Sequence, residues 1–336
     1  MPRLLLLVVL LAACAAPVRP TPPLEVAPAV EDPLEQLALE GRALTPLMKS
    51  ELGRAFVASA SQLERPGPRS LFVDARGRVV TATKLEALPA DERATFRAAS
   101  PREQETFFYN TNHGTPLAYA RAIDLLGQDG VPAGEGRRLA DFGFGNVGQL
   151  RMLAQLGFSA TGIDVNPQLG ELYADAQGPY ARGAVKVLIG RYPVEPALVG
   201  EVHDLDVFIA KNTLKKGYIH PDRPPGRPEW VIHLGVDDDT FLKTIHDALA
   251  PGGRFLIYNI CPAPTPEGQP FVTWSDGRSP FTREQYARAG FKVKAFDVDD
   301  TEFVRTMGHL LRWDVGEDPF DLQHDLSVLY TLLERE

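Results

Sequence analysis

Cysteine is scarce in this chain: Cys14 and Cys261 are the only two in 336 residues, so no disulfide framework is available to staple a fold. An excess of positive charge is lacking as well. The formal net charge is −9, which argues against a general nucleic-acid binder, for which a basic stripe is expected. The one uninterrupted apolar run near the start, Leu4 to Ala13, is far too short to span a bilayer as a helix. No segment repeats. What is present is ordinary for a globular protein, with 44% hydrophobic and 24% charged residues. Beyond the N-terminal segment about 300 residues remain, enough for one large domain or a domain with a small cap.

The first residues read as targeting rather than fold. Arg3 precedes the apolar run, which closes on Leu11-Ala12-Ala13-Cys14. This resembles the bacterial lipoprotein signal, in which the cysteine is acylated and becomes the new N-terminus. Residues 1–13 are then the signal, Cys14 the lipidation site, and the proline-rich stretch 14–33 an extended tether. An ordinary secretory signal that happens to contain a cysteine is the alternative. The resemblance implies a lipid-anchored protein of the bacterial cell envelope.

Residues 34–104 form an N-terminal extension. Apolar positions from Leu34 to Phe56 recur at helical spacing, and residues 71–80 suggest two short strands around a turn. Next come an aromatic patch (Phe107, Phe108, Tyr109), a polar loop from Asn110 to Gly114, and a helix beginning near Pro116. From residue 137 the pattern becomes strands alternating with helices. Strands are expected at 138–142, 160–164, 185–189, 205–210, 254–260, 292–298 and 303–311, and helices at 147–156, 168–176, 240–249 and 281–289. The leucines at 322, 326, 329 and 333 suggest that 316–336 closes the chain as an amphipathic helix. Such alternation implies a doubly wound α/β fold with a mostly parallel sheet.

The most informative stretch is 139–167. An apolar strand reaches Asp141, a turn holds Gly143, Gly145 and Gly148, and a second strand ends in Asp164. A glycine turn lets main chain approach a ligand that a Cβ would block, and the helix it opens offers free N–H groups. An acidic residue about 20 positions further on suits the hydroxyls of a ribose. Both aspartates also suit capping or turn positions.

These residues, with Asp206-Val-Phe-Ile and Leu249-Ala-Pro-Gly-Gly-Arg-Phe-Leu-Ile, make residues 105–312 similar to the class I S-adenosylmethionine-dependent methyltransferases. The resemblance implies a seven-stranded Rossmann-like sheet whose last strand is antiparallel, spanning 105–315, and S-adenosylmethionine as cofactor. It implies that Asp141, Gly143 and Gly145 line the amino-acid end of that cofactor. Asp164 then holds the ribose, Val165 packs on the adenine, and Asn212 sits near the transferred methyl group. From the loop that would lie as a lid over the cofactor, Tyr109 is a catalytic candidate, and His113 and Thr115 are cofactor-binding candidates. Lys215, Tyr218 and His220 stand where a substrate loop would orient an acceptor or take its proton, with 222–230 as a flap. Departures from the pattern are Val147 at the third glycine position, Gly190-Arg191 where an acidic residue often stands, and Ala210-Lys-Asn-Thr-Leu in place of Asn-Pro-Pro-aromatic. The last argues against nucleobase acceptors. No metal is expected, since His220, His233 and Asp237 match no familiar ligand spacing. The expected activity is methyl transfer to a small-molecule or envelope acceptor, at oxygen or nitrogen. The alternatives are an envelope-anchored, non-catalytic binding module on the same fold, and a dinucleotide oxidoreductase, which the glycine spacing disfavours.

Overall fold

Two helices precede the sheets, each begun by a side chain that satisfies free N–H groups. In α1 (Pro33–Leu44) the Asp32 carboxylate accepts from Leu34 N and Glu35 N, and in α2 (Glu51–Ser59) Ser50 accepts from Gly53 N. The structure is a computed structural model that describes residues 24–67, 70–76, 78–100, 103–104, 108–109, 115–316 and 319–336. Cys14 and His113 lie outside those residues. A small antiparallel sheet follows, with β1 (Leu71–Val73) between β2 (Val79–Thr81) and β3 (Arg97–Ala98).

Helix α3 (Ala120–Gln128) leads into the main body. Its elements are β4 (Arg137–Phe142), α4 (Val147–Gln155), β5 (Phe158–Asp164), α5 (Pro167–Leu172), β6 (Gly178–Tyr180), β7 (Gly183–Ile189), α6 (Pro196–Glu201) and β8 (Leu205–Lys211). Then come α7 (Asp238–Ala248), β9 (Leu249–Cys261), α8 (Arg283–Arg288), β10 (Phe291–Asp299), α9 (Thr301–Leu310) and β11 (Ser327–Arg335). The sheet order is β10-β11-β9-β8-β4-β5-β7-β6. Along the run β7-β5-β4-β8-β9 each strand is parallel to the next, whereas β11 is antiparallel to both β9 and β10. The doubly wound, mostly parallel fold is as expected. The sheet has eight strands rather than seven, because three-residue β6 adds an antiparallel edge beside β7.

Two expectations near the C-terminus are corrected. Residues 303–311, read as a strand, belong to α9 and its C-terminal cap: Val304, Met307 and Leu310 are buried at helical spacing. The tail, read as a helix, is strand β11 from Ser327 onward. Its leucines do recur at intervals of three and four, but Ser327–Glu334 pairs residue by residue with Cys261–Arg254. The sheet therefore closes with an inserted antiparallel strand, not with a tight hairpin after residue 298.

Both faces of the sheet are covered. Leu139, Val207, Ile209 and Leu256 face one core, and Ala140, Phe208, Phe255 and Ile257 face the other. Each fully buried Phe or Leu contributes about 1.5–3 kcal/mol. The N-terminal helices share the first core through Leu37, Leu44, Leu52 and Phe56. A buried polar knot ties them down. Asp124 of α3 accepts from Lys49 N, Ser50 N and Ser50 Oγ at 2.7–2.9 Å, and from Arg121 at 3.0 Å. Arg121 in turn donates twice to Asp300, to which Tyr258 of β9 also donates. The Asp124–Arg121–Asp300 chain thus joins the extension to the sheet. Among the described residues, no helix is long and apolar enough to cross a membrane.

Candidate functional site

The sheet order reverses at β4, with β5 and β7 to one side and β8 and β9 to the other. Doubly wound sheets open a crevice at such a point, outside the carboxyl ends of the strands. Here a cavity of about 590 Å³ occupies it. Its walls come from the loops after β4 (Gly143, Phe144, Gly145), β5 (Val165, beside Asp164 at the strand end), β7 (Gly190) and β8 (Asn212, Thr213, Lys215), together with Tyr119 and Lys211.

The turn after β4 requires glycine. Gly143 has φ +75°, and a Cβ there would stand 2.2 Å from Thr213 Oγ1. The displaced Gly148 serves packing instead: a Cβ on it would meet Tyr109 and Pro116 at 3.0 Å. At the end of β5, Asp164 Oδ1 accepts from Asn166 N at 2.9 Å, and Oδ2 has no hydrogen-bond partner among the described residues. Val165 beside it is 66% exposed, an apolar surface on the cavity wall. Gly190 lines the wall, whereas Arg191 turns its backbone N–H to the Glu195 carboxylate.

Asp141 is not on the wall. It is fully buried beneath the turn, and Lys211 at the end of β8 donates to its Oδ2 at 2.5 Å and to Gln149 Oε1 at 2.7 Å. Burial pushes the Asp141 carboxyl above its ordinary range, an effect that Lys211 opposes and the nearby Asp164 reinforces. The same burial pushes the Lys211 ammonium below its own. Asp141 Oδ1 has no hydrogen-bond partner among the described residues. Lys211 also lies 5.0 Å from the Tyr119 ring centre, and nothing in the sequence pattern singles it out.

Asn212 follows in the left-handed region at φ +55°, a conformation Asn tolerates better than most residues. Its amide is committed: Nδ2 donates to Tyr119 OH at 2.7 Å, and Oδ1 accepts from Ile260 N at 2.7 Å. It shapes the wall more than it offers free polar atoms. Burial pushes the Tyr119 phenol up, so Tyr119 is a neutral hydroxyl near pH 7.

The outer half of the cavity is apolar and aromatic, lined by Tyr218, Ile232, Ile260, Pro262 and Trp274. Residues 222–230, expected as a flap, do not line the cavity; Pro225 bridges to Phe271, and Trp230 packs against the lining Trp274 with ring centroids 4.3 Å apart. Trp274, from the loop between β9 and α8, carries no sequence signal. Lys215 lines this half and is almost completely buried.

Three sequence candidates lie elsewhere. Tyr109 is a core residue whose hydroxyl donates to Glu64 O at 2.5 Å and accepts from Arg151 at 3.0 Å. His220 is turned away by the short helix Lys216–Ile219 and meets the Asp238 carboxylate at 2.9 Å in a neighbouring hollow. Thr115 caps the turn Pro116–Tyr119, accepting from Leu117 N at 3.1 Å. It positions Tyr119 without reaching the wall. The structure therefore brings together Gly143, Gly145, Asp164, Val165, Asn212 and Lys215, and adds Lys211, Tyr119 and Trp274.

No protein-family model and no curated protein matches this chain. Among solved structures it is similar to an S-adenosylmethionine-dependent methyltransferase from Mesorhizobium loti, at 17% identity over 65% of this chain and 98% of that one, with a TM-score of 0.38. It is similar to a TehB-like methyltransferase from Corynebacterium glutamicum, at 16% identity over 66% and 98%, TM-score 0.33. A third is a phosphoethanolamine N-methyltransferase from Haemonchus contortus in complex with S-adenosylhomocysteine, at 13% identity over 91% and 82%, TM-score 0.40.

Proposed function

We propose that this protein binds S-adenosylmethionine in the switch-point cavity and transfers its methyl group to a small-molecule or envelope acceptor. One observation carries the reading: a glycine turn, a strand-end carboxylate and an exposed apolar side chain meet in one cavity at the reversal of a parallel sheet. The residues fit an adenosyl group. Asp164 offers the ribose hydroxyls a carboxylate oxygen that has no partner among the described residues, and Val165 offers an apolar face for the adenine. Main chain at Gly143 and Gly145 edges the same space.

When bound, S-adenosylmethionine supplies an electrophilic methyl group, so the protein's share of the work is alignment and dryness. Asn212, held from both sides, fixes the inner wall. Trp274, Ile232 and Pro262 give the outer half an apolar wall. Membrane attachment through an acylated Cys14, and with it placement in the cell envelope, belongs to the same proposal and rests on the sequence Leu11-Ala-Ala-Cys14 alone.

A second reading, a non-catalytic binding module on this fold, is favoured by the Asp141–Lys211 pair. That pair occupies one oxygen of the carboxylate which the resemblance assigns to the cofactor's amino-acid end. Thermal shift with S-adenosylmethionine, S-adenosylhomocysteine and a nicotinamide dinucleotide tests the binding claim. The adenosyl sulfur compounds raise the melting temperature and the dinucleotide does not; the reverse pattern contradicts it. Incorporation of labelled methyl into an envelope extract separates the enzyme from the binding module.

A further inference from the structure

Lys215 is a buried cation with no carboxylate among the described residues to neutralise it. Its side chain is 3% exposed, yet it lines the outer half of the cavity. It makes two long hydrogen bonds, to Ile260 O and Trp274 O, both at 3.4 Å. The Cys261 thiol is beside it, and the Tyr218 ring centre lies 5.4 Å away. Lys211, by contrast, has its own aspartate. Burying an ammonium without an anion is costly unless a ligand supplies the partner or the group gives up its proton. Burial does press Lys215 toward the neutral amine. Around this one charged group the wall is Tyr218, Ile232, Pro262 and Trp274, which suits a flat, mostly apolar molecule.

We propose that the outer half is an acceptor subsite for a small, mainly apolar acid, and that Lys215 pairs with its ionised oxygen, a carboxylate, phenolate or enolate. The proposal rests on the methyl-transfer reading of the same cavity. If the acceptor arrives ionised, it pairs with Lys215 as an ammonium. If it arrives as the neutral acid, the Lys215 amine takes its proton, and the same ion pair results. The acceptor oxygen then uses a lone pair to form the new C–O bond as the methyl C–S bond breaks. The C–S electron pair stays on sulfur. An anion and a sulfonium cation thus become a neutral ether or ester and a neutral thioether, and Lys215 is left as the residue whose charge needs the next acid. A protonated amine would place a second positive charge beside the Lys215 ammonium, so the subsite disfavours ammonium ligands.

The test uses the folded protein, with S-adenosylhomocysteine binding measured first and separately. Salicylate, 4-hydroxybenzoate, benzyl alcohol and benzylamine are then titrated by calorimetry, with and without that compound. The expected result is that both aromatic acids bind at least tenfold more tightly than the alcohol, and that the amine gives no heat. Lys215→Met lowers the affinity for the acids at least tenfold and moves S-adenosylhomocysteine affinity less than twofold. Equal binding of acid, alcohol and amine to the unaltered protein overturns the inference, whether or not Lys215→Met folds. So does acid binding that survives Lys215→Met. If acids bind through Lys215 while S-adenosylhomocysteine fails to bind, the subsite stands and the methyl-transfer reading falls.

Discussion

Lys211 Nζ lies 2.5 Å from Asp141 Oδ2, joining the carboxyl ends of β4 and β8 through two side chains almost wholly shielded from water. Removing one partner leaves the other as an unpaired buried charge, which costs about 3–5 kcal/mol. Lys211→Met and Asp141→Leu are each expected to lose that much in urea unfolding, and the double variant to recover most of it. Additive losses in the double variant would show that the pair is not coupled.

Asn212 holds the cavity wall through Tyr119 and Ile260 while standing at φ +55°. Asn212→Ala loses both hydrogen bonds and adds left-handed strain, for about 2–4 kcal/mol in all. Asn212→Gly loses the same bonds without the strain and should be the more stable of the two by about 1 kcal/mol. Chemical denaturation ranks the three proteins; alanine equal to or above glycine would remove strain from the account.

Glu40 on α1 predicts a pH effect far from the cavity. Burial raises its carboxyl from 4.5 to about 7, against a hydrogen bond from Gln36 that lowers it. The unfolded chain releases this proton near pH 4.5, and the native state keeps it until about 7. Its contribution is therefore fully present below pH 4.5 and lost as the pH rises through 7, a change on the order of 3 kcal/mol. Unfolding free energies at pH values below, between and above these two limits check this: Glu40→Gln should lack that part of the slope. Parallel pH profiles for the two proteins would rule it out.

Strands β4, β5, β7, β8 and β9 were legible because most are short apolar runs broken by glycine, proline or an acidic tip, whereas the three-residue edge strand β6 carries no such run. Asp164 and Val165 could be placed for the same reason, as a strand-end carboxylate and its neighbour. What failed was periodicity where two templates overlap. The leucines at 322, 326, 329 and 333 fit a helix by spacing, yet Val328 and Leu333 are buried in a strand held between β9 and β10. Residues 303–311 erred in the opposite direction, for the apolar positions there suit both periods over so short a run. Lys211 was hidden for another reason: no local pattern says that a lysine ending an apolar strand will meet an aspartate 70 residues earlier. Tyr109, read as a catalytic candidate from the lid loop, is instead fixed in the core by Arg151 and Glu64.

The central claim is that Asp164 holds the ribose of an adenosyl ligand, and calorimetry with S-adenosylhomocysteine tests it most directly. The unaltered protein should bind with a Kd below about 100 μM, about −5.5 kcal/mol or better. Asp164→Ala should weaken binding at least tenfold, about 1.4 kcal/mol, with its melting temperature little changed. No heat at millimolar ligand, or equal affinity in the two proteins, would contradict the account.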